Sequence, residues 1–179
     1  MAQVTGTTVG PVRTAEGLSV ALREINPEDL DTLKDMLREP GISRWWGMYD
    51  DERVRAEFLG DEVGVYLIEA DGEPAGAIEF VENTDPDYRH AQVDLFVTER
   101  MQDRGVGTAA VKALVKHLFE DLGHHRVVAA PGAQNERAVR FFEDVGFKRV
   151  GTLRQYEKQP DGSWGDNVML ELLRGEFEA

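Results

Sequence analysis

The chain has 179 residues, no cysteine, and 34 acidic against 20 basic side chains, giving a formal charge of −14. That length suits one domain with a full hydrophobic core, and an apolar content of 41% is ordinary for a globular protein. The charge opposes binding to nucleic acid or anionic lipid, and the missing thiols exclude disulfides, thiolate zinc sites and a cysteine acyl-enzyme.

The first 16 residues are rich in Thr and Gly and carry neither a basic nor an apolar leader segment. They read as a loose lead-in to a single domain over 17–179. No apolar run reaches the roughly 18 residues that a membrane span requires, and a thiol-free chain fits a reducing cytoplasm.

"LSVALREI" (18–25) alternates and reads as a strand. Asn26-Pro27 then opens a helix carrying Leu30, Leu33, Met36 and Leu37, and Pro40-Gly41 is read as its stop. "DDERVRAEFL" (50–59) is a short charged helix. "VGVYLIEA" and "AGAIEFVE" flank Asp71-Gly72-Glu73-Pro74 and form a hairpin by their turn chemistry, with "HAQVDLFV" (90–97) as the next strand. Val111, Leu114, Val115, Leu118, Phe119 and Leu122 make one buried stripe of a long helix. "RVVAA" (126–130) is a buried strand, 135–145 a helix closed by Gly146, and "FKRVGTLRQYEK" with "SWGDNVMLELL" a final strand pair. The expected fold is mixed α/β (α+β): a mostly antiparallel central sheet of six to seven strands flanked by about four helices.

Gly105 and Gly107 precede the long helix in "QDRGVGTAAVKAL" (102–114). Glycine costs backbone entropy, so a pair at a helix start points to close approach of a ligand, and the unpaired N–H groups there favour an anion. A P-loop is excluded because Thr108-Ala109 follows the second glycine instead of Lys-Ser/Thr. A dinucleotide fingerprint fits poorly: "TERMQDR" separates strand from glycine, and no strand-end acid lies about 20 residues on.

"VDLFVTERMQDRGVGTAAVKAL" instead resembles the acetyl-CoA loop of the GNAT superfamily of N-acetyltransferases, Q/R-x-x-G-x-G/A, through Gln102, Gly105 and Gly107. "NERAVRFFEDVGF" resembles that superfamily's second landmark through Asn135, Ala138, Gly146 and Phe147. The resemblance implies acetyl-CoA as cosubstrate and no metal. Its pyrophosphate would meet the backbone of Gln102, Asp103, Arg104, Gly105, Val106, Gly107 and Thr108. Its pantetheine arm would run beside Leu95, Phe96 and Val97, with Asn135, Ala138 and Phe142 as further contacts, and an N–H near Phe96 or Val97 would polarise the thioester.

Candidate bases are Asp94, Glu79, Asp166 and Gln92 through a water; the base position of several relatives falls on Val93. The superfamily's usual tyrosine acid falls on Phe142, which cannot donate a proton, so Tyr156 is the substitute. His117 is read as solvent-facing, His124 and His125 as turn residues, and His90 as a border of the acceptor cleft; all four are read as structural.

"ISRWWGMYDDE" (42–52) stands where this superfamily builds its acceptor wall, and resembles the WWG segment of bacterial aminoglycoside 6′-N-acetyltransferases. Trp45 and Trp46 would supply aromatic faces and Asp50 and Asp51 carboxylates for a small cationic amine. The assembly expected is a monomer or homodimer. Another amine, such as a protein N-terminus, polyamine or siderophore precursor, and a non-catalytic acyl-CoA sensor are the alternatives.

Overall fold

The computed structural model describes residues 8–60, 63–159 and 161–178. Eight strands form a mostly antiparallel sheet, and five α-helices lie among the described residues, one or two strands and one helix more than the sequence suggests. The chain divides into two compact units: residues 1–80 with 95–114, and residues 81–94 with 115–179. None of the described helices is long and apolar enough to cross a membrane.

In the first unit, β1 (Val9–Arg13), β2 (Ser19–Glu24), β3 (Gly64–Ala70) and β4 (Glu73–Asn83) pair antiparallel in sequence order. Strand β1 falls inside the stretch read as a lead-in, whose residues 1–7 lie outside the described ones. Helices α1 (Leu30–Leu37), α2 (Pro40–Trp46) and α3 (Asp51–Phe58) follow β2. Pro40-Gly41 therefore starts a helix instead of ending one, because proline's fixed φ and missing N–H suit a first turn. Leu33, Leu37, Ile42, Val54 and Phe58 pack over Val65, Leu67, Ala77 and Phe96 as one apolar cluster. Arg23 ties β2 to the start of α1 and to β3, binding Asp29 through both terminal nitrogens (3.0 and 2.9 Å) and Glu69 through Nε (2.8 Å).

Three elements run from one unit into the other: β4, β5 (His90–Val97) and α4 (Val106–Glu120). In the second unit, β5 runs parallel to β6 (Arg126–Ala129), with Ala91 opposite Val127 and Gln92 opposite Val128. Strand β8 (Trp164–Leu173) pairs antiparallel with both β6 and β7 (Lys148–Lys158). Helix α5 (Glu136–Val145) buries Val139, Phe142 and Val145 and ends at left-handed Gly146. His117 is 7% exposed with Nδ1 2.7 Å from Asp121, and His124 is fully buried with Nε2 2.7 Å from Glu82. His117 does not face solvent as the sequence suggests. Burial on more than one side of α4 overrides its single apolar stripe.

Candidate active site

The loop that the glycines mark is built within the first unit. Thr98 N–H donates to Ala75 O (2.8 Å), and Met101 and Gln102 return their N–H groups to Thr98 O, which turns the chain sharply after β5. Gln102 Nε2 then donates to Val97 O (2.9 Å). Asp103 and Gly105 both adopt left-handed φ (59° and 75°), and a Cβ on Gly105 would lie 3.3 Å from Thr14. Arg104 reaches Glu16 (3.2 Å) and the Met101 sulfur (3.3 Å). Ala109 N–H to Gly105 O (3.0 Å) is the first turn's bond of α4, so the N–H groups of Val106, Gly107 and Thr108 have no acceptor inside the helix. A helix start of this kind, on glycine and with no acid in its first turn, suits a pyrophosphate.

Glycine has a second task at position 76 on β4. A Cβ there would collide with the Phe96 carbonyl oxygen and stand 3.0 Å from Phe96 C and Val97 Cα. The end of β5 is thus pressed against β4, with the Phe96 carbonyl turned toward it. In one trans peptide group the C=O and N–H point opposite ways, so Val97 N–H points to the opposite edge. By the same alternation Gln92, Asp94 and Phe96 share one face of β5, with Asp94 exposed.

On that face in the first unit, Phe96 meets the edge of Trp46 (5.1 Å) and of Phe58 (6.4 Å). Tyr49 is buried beside Phe58 (5.9 Å) and donates its hydroxyl to Glu57 Oε1 (2.5 Å). Burial first, then this bond, holds the Tyr49 phenol well above its ordinary pKa, so it stays a donor. Arg53 lies 3.9 Å over the Tyr49 ring, bonds its hydroxyl (3.3 Å) and Met48 O (3.0 Å), and pairs with Glu57 (3.4 Å). Half-buried Glu79 stands opposite Val65 on the helix-covered face of β4, and its charge reaches Tyr49.

The structure thus brings Trp46, Glu79 and Phe96 to one wall, with Tyr49 and Glu57, which sequence reasoning missed. The i,i+4 spacing of Arg53 and Glu57 was the available signal. It does not gather the others. The Trp45 ring lies under Arg44 (4.9 Å), Asp50 caps α3 by accepting from Arg53 N–H (2.8 Å), and Asp51 pairs with Lys34.

The remaining candidates lie in the second unit. Asn135 caps α5, its Oδ1 accepting from Ala138 N–H (3.1 Å). Phe142 is buried against Phe141 and Phe147, both at 5.2 Å, and is a core ring. Tyr156 is exposed on β7 beside left-handed Gln155, whose N–H is held by Asp166 Oδ1 (2.8 Å). Asn167, unremarked in the sequence, is buried and donates to Ala130 O (2.6 Å) and Glu157 (2.9 Å).

A mixed sheet with an open, glycine-led helix start, one short turn beyond a pinned strand end, is the arrangement an acyl-CoA-dependent acyltransferase needs. The chain belongs to the acetyltransferase (GNAT) family, whose model matches residues 30–147, and it is an acetyl-CoA-dependent N-acyltransferase. It is 31% identical over 164 residues to the aminoglycoside N(6′)-acetyltransferase type 1 of Klebsiella pneumoniae, covering 80% of this chain and 79% of that one. It is 25% identical over 168 residues to the spermidine N(1)-acetyltransferase of Escherichia coli K12, covering 90% and 89%. The solved structure of Mycobacterium smegmatis RimJ in complex with CoA-disulfide superposes with a TM-score of 0.83 at 25% identity, over 98% of this chain and 91% of that one.

Proposed function

We propose that this protein moves the acetyl group of acetyl-CoA directly to a primary amine of a small cationic acceptor of the aminoglycoside type. The observation that carries the reading is the aromatic and acidic wall of Trp46, Tyr49, Glu57 and Glu79 around Phe96, at the strand end that precedes the anion loop. Aromatic faces suit sugar rings, and half-buried carboxylates suit ammonium groups. The likeness to an aminoglycoside acetyltransferase supports the same class.

Acetyl-CoA supplies the acetyl group as a thioester. The N–H groups of Val106, Gly107 and Thr108 would hold its pyrophosphate, and the Asn135 amide nitrogen, free of the capping bond that its oxygen makes, is a donor left for a ligand in the second unit. Val97 N–H, turned away from β4, polarises the thioester carbonyl. Asp94, exposed two residues before Phe96 on the same strand face, takes the proton of the attacking amine. The C–N bond forms, the C–S bond breaks, and the proton passes by way of the carboxylate to the departing thiolate. Phe142 has no part in that transfer, being a buried hydrocarbon ring.

A thiol-release assay over aminoglycosides, spermidine and a peptide N-terminus tests this. Aminoglycosides should be the best acceptors, with initial-rate lines that intersect, as a ternary complex in a cysteine-free enzyme requires. Preference for spermidine or the peptide overturns the acceptor class. Parallel lines overturn direct transfer. Binding of CoA with no turnover of any amine leaves the sensor reading in its place.

A further inference from the structure

Away from the anion loop, the second unit holds a groove of about 470 Å³ at the β4–β5 hairpin, lined by Val81, Glu82, Asn83, Thr84, His90 and Gln92. The volume lies in the range of small-ligand sites, roughly 300–1,000 Å³. Five of its six lining side chains are polar, and together they offer a carboxylate, two carboxamides, a hydroxyl and an imidazole.

These groups are held in place. Glu82 is anchored by Nε2 of the fully buried His124 (2.7 Å). His124 Nδ1 is buried without a hydrogen-bond partner. The Glu82 carboxylate is thus held from one side and lines the groove with the other. His90 Nδ1 sits 2.7 Å from the Tyr88 carbonyl, so it is the donor and Nε2 is left as an acceptor. Asn83 Oδ1 accepts from Asp85 N–H (3.0 Å), which leaves its two amide hydrogens to be shared outward. The hairpin itself is tightened by Asp87 N–H to Asp85 Oδ1 (2.9 Å) and clamped by Arg89 to Leu122 O (2.7 Å). That clamp also occupies the one arginine of the hairpin.

Gln92 links this groove to the chemistry. It precedes Asp94 by two residues on the same face of β5, about 6.7 Å along the strand. An amine held at Asp94 therefore has the groove one residue pair away, with a negative charge and hydrogen-bonding groups of both kinds. Those features match a ring that carries hydroxyl and ammonium groups. A polyamine has no hydroxyls to use the carboxamides and imidazole, and the side chain of Val81 offers too little apolar wall for a hydrophobic residue.

We infer that the groove is a distal subsite that takes a second, hydroxyl- and ammonium-bearing ring of the acceptor while the first ring presents its amine at Asp94. This rests on the acceptor class proposed above. The test compares an aminoglycoside of several rings with a single-ring aminomethyl sugar in wild type, Thr84→Val and Glu82→Gln, and repeats the binding by calorimetry without acetyl-CoA. Glu82→Gln keeps an acceptor for His124, and Thr84→Val exchanges a groove hydroxyl for a methyl of the same size, so a thermal melt within about 2 °C of wild type is expected for both. Each variant should raise KM and Kd for the larger acceptor about 10-fold, and change KM for the single ring and for acetyl-CoA less than 2-fold. Equal effects on both acceptors, or none on either, overturn the subsite while the acceptor class stands. If wild type turns over no aminoglycoside, the acceptor class itself falls, and with it the ring assigned to the groove.

Discussion

Replacing Gly76 by alanine should injure both stability and the chemical step. The added Cβ would stand 3.0 Å from Phe96 C and Val97 Cα and closer still to Phe96 O, all of them backbone atoms. Carbon atoms settle at about 3.5–4.0 Å from their neighbours and the Phe96 oxygen would stand far inside that distance, so the end of β5 has to retreat by about 1 Å or more. The bond from Thr98 N–H to Ala75 O, now 2.8 Å, would stretch toward or past the limit of a useful hydrogen bond. Losing a buried backbone bond costs about 1–3 kcal/mol, which for a chain of this size lowers Tm by roughly 2–12 °C. Val97 N–H moves with the strand, and a misplacement of about 1 Å can lower kcat on the order of 100-fold. The loop keeps its own tie from Arg104 to Glu16, so KM for acetyl-CoA should change less than kcat. Scanning calorimetry and steady-state kinetics on Gly76→Ala read both effects. A variant with wild-type Tm and wild-type kcat would refute the claim that this contact sets the strand end.

Two further outcomes are expected. Gly107→Trp places an indole over the open N–H groups of α4 and should abolish CoA binding by calorimetry while the circular dichroism spectrum is retained; a folded variant of unchanged affinity would contradict the anion assignment. Arg23→Met should destabilise the protein by about 1–3 kcal/mol at pH 7 in urea titrations. The hydrogen bond from Arg23 is the largest cause holding the Asp29 carboxyl below its ordinary 3.8, so that stabilisation is present above about pH 4 and is lost as pH falls through the lower folded value. The gap between variant and wild type should therefore close in acid, and a gap constant to pH 2 would show that the pair is not its source.

Gly105 was legible because its left-handed φ leaves a trace in residue type. The strand 90–97 was legible to the residue from its alternation. Strand β1 was not, because its residues are mostly exposed and it joins the sheet through backbone bonds that any sequence can make. Helix α2 was misread because proline is both a helix stop and a favoured first residue, and only the chain that follows decides between them. The acidic wall was half legible. Asp50 and Asp51 stand beside the tryptophans in sequence, yet a cap and an ion pair with Lys34 engage them, whereas Glu57 reaches Tyr49 from two helical turns away.

The Arg53 clasp bears on how this enzyme could change its acceptor over evolutionary time. Arg53 grips position 48 by its backbone carbonyl and never by its side chain, and the Met48 side chain is 74% exposed. Position 48 is therefore open to drift at the rim of the wall, while Arg53 serves a carbonyl, a hydroxyl, a ring and a carboxylate at once and has no substitute among the twenty residues. New acceptors can be sampled at 48 without loosening Tyr49 or Glu57. The fold keeps a replaceable edge on a fixed mount.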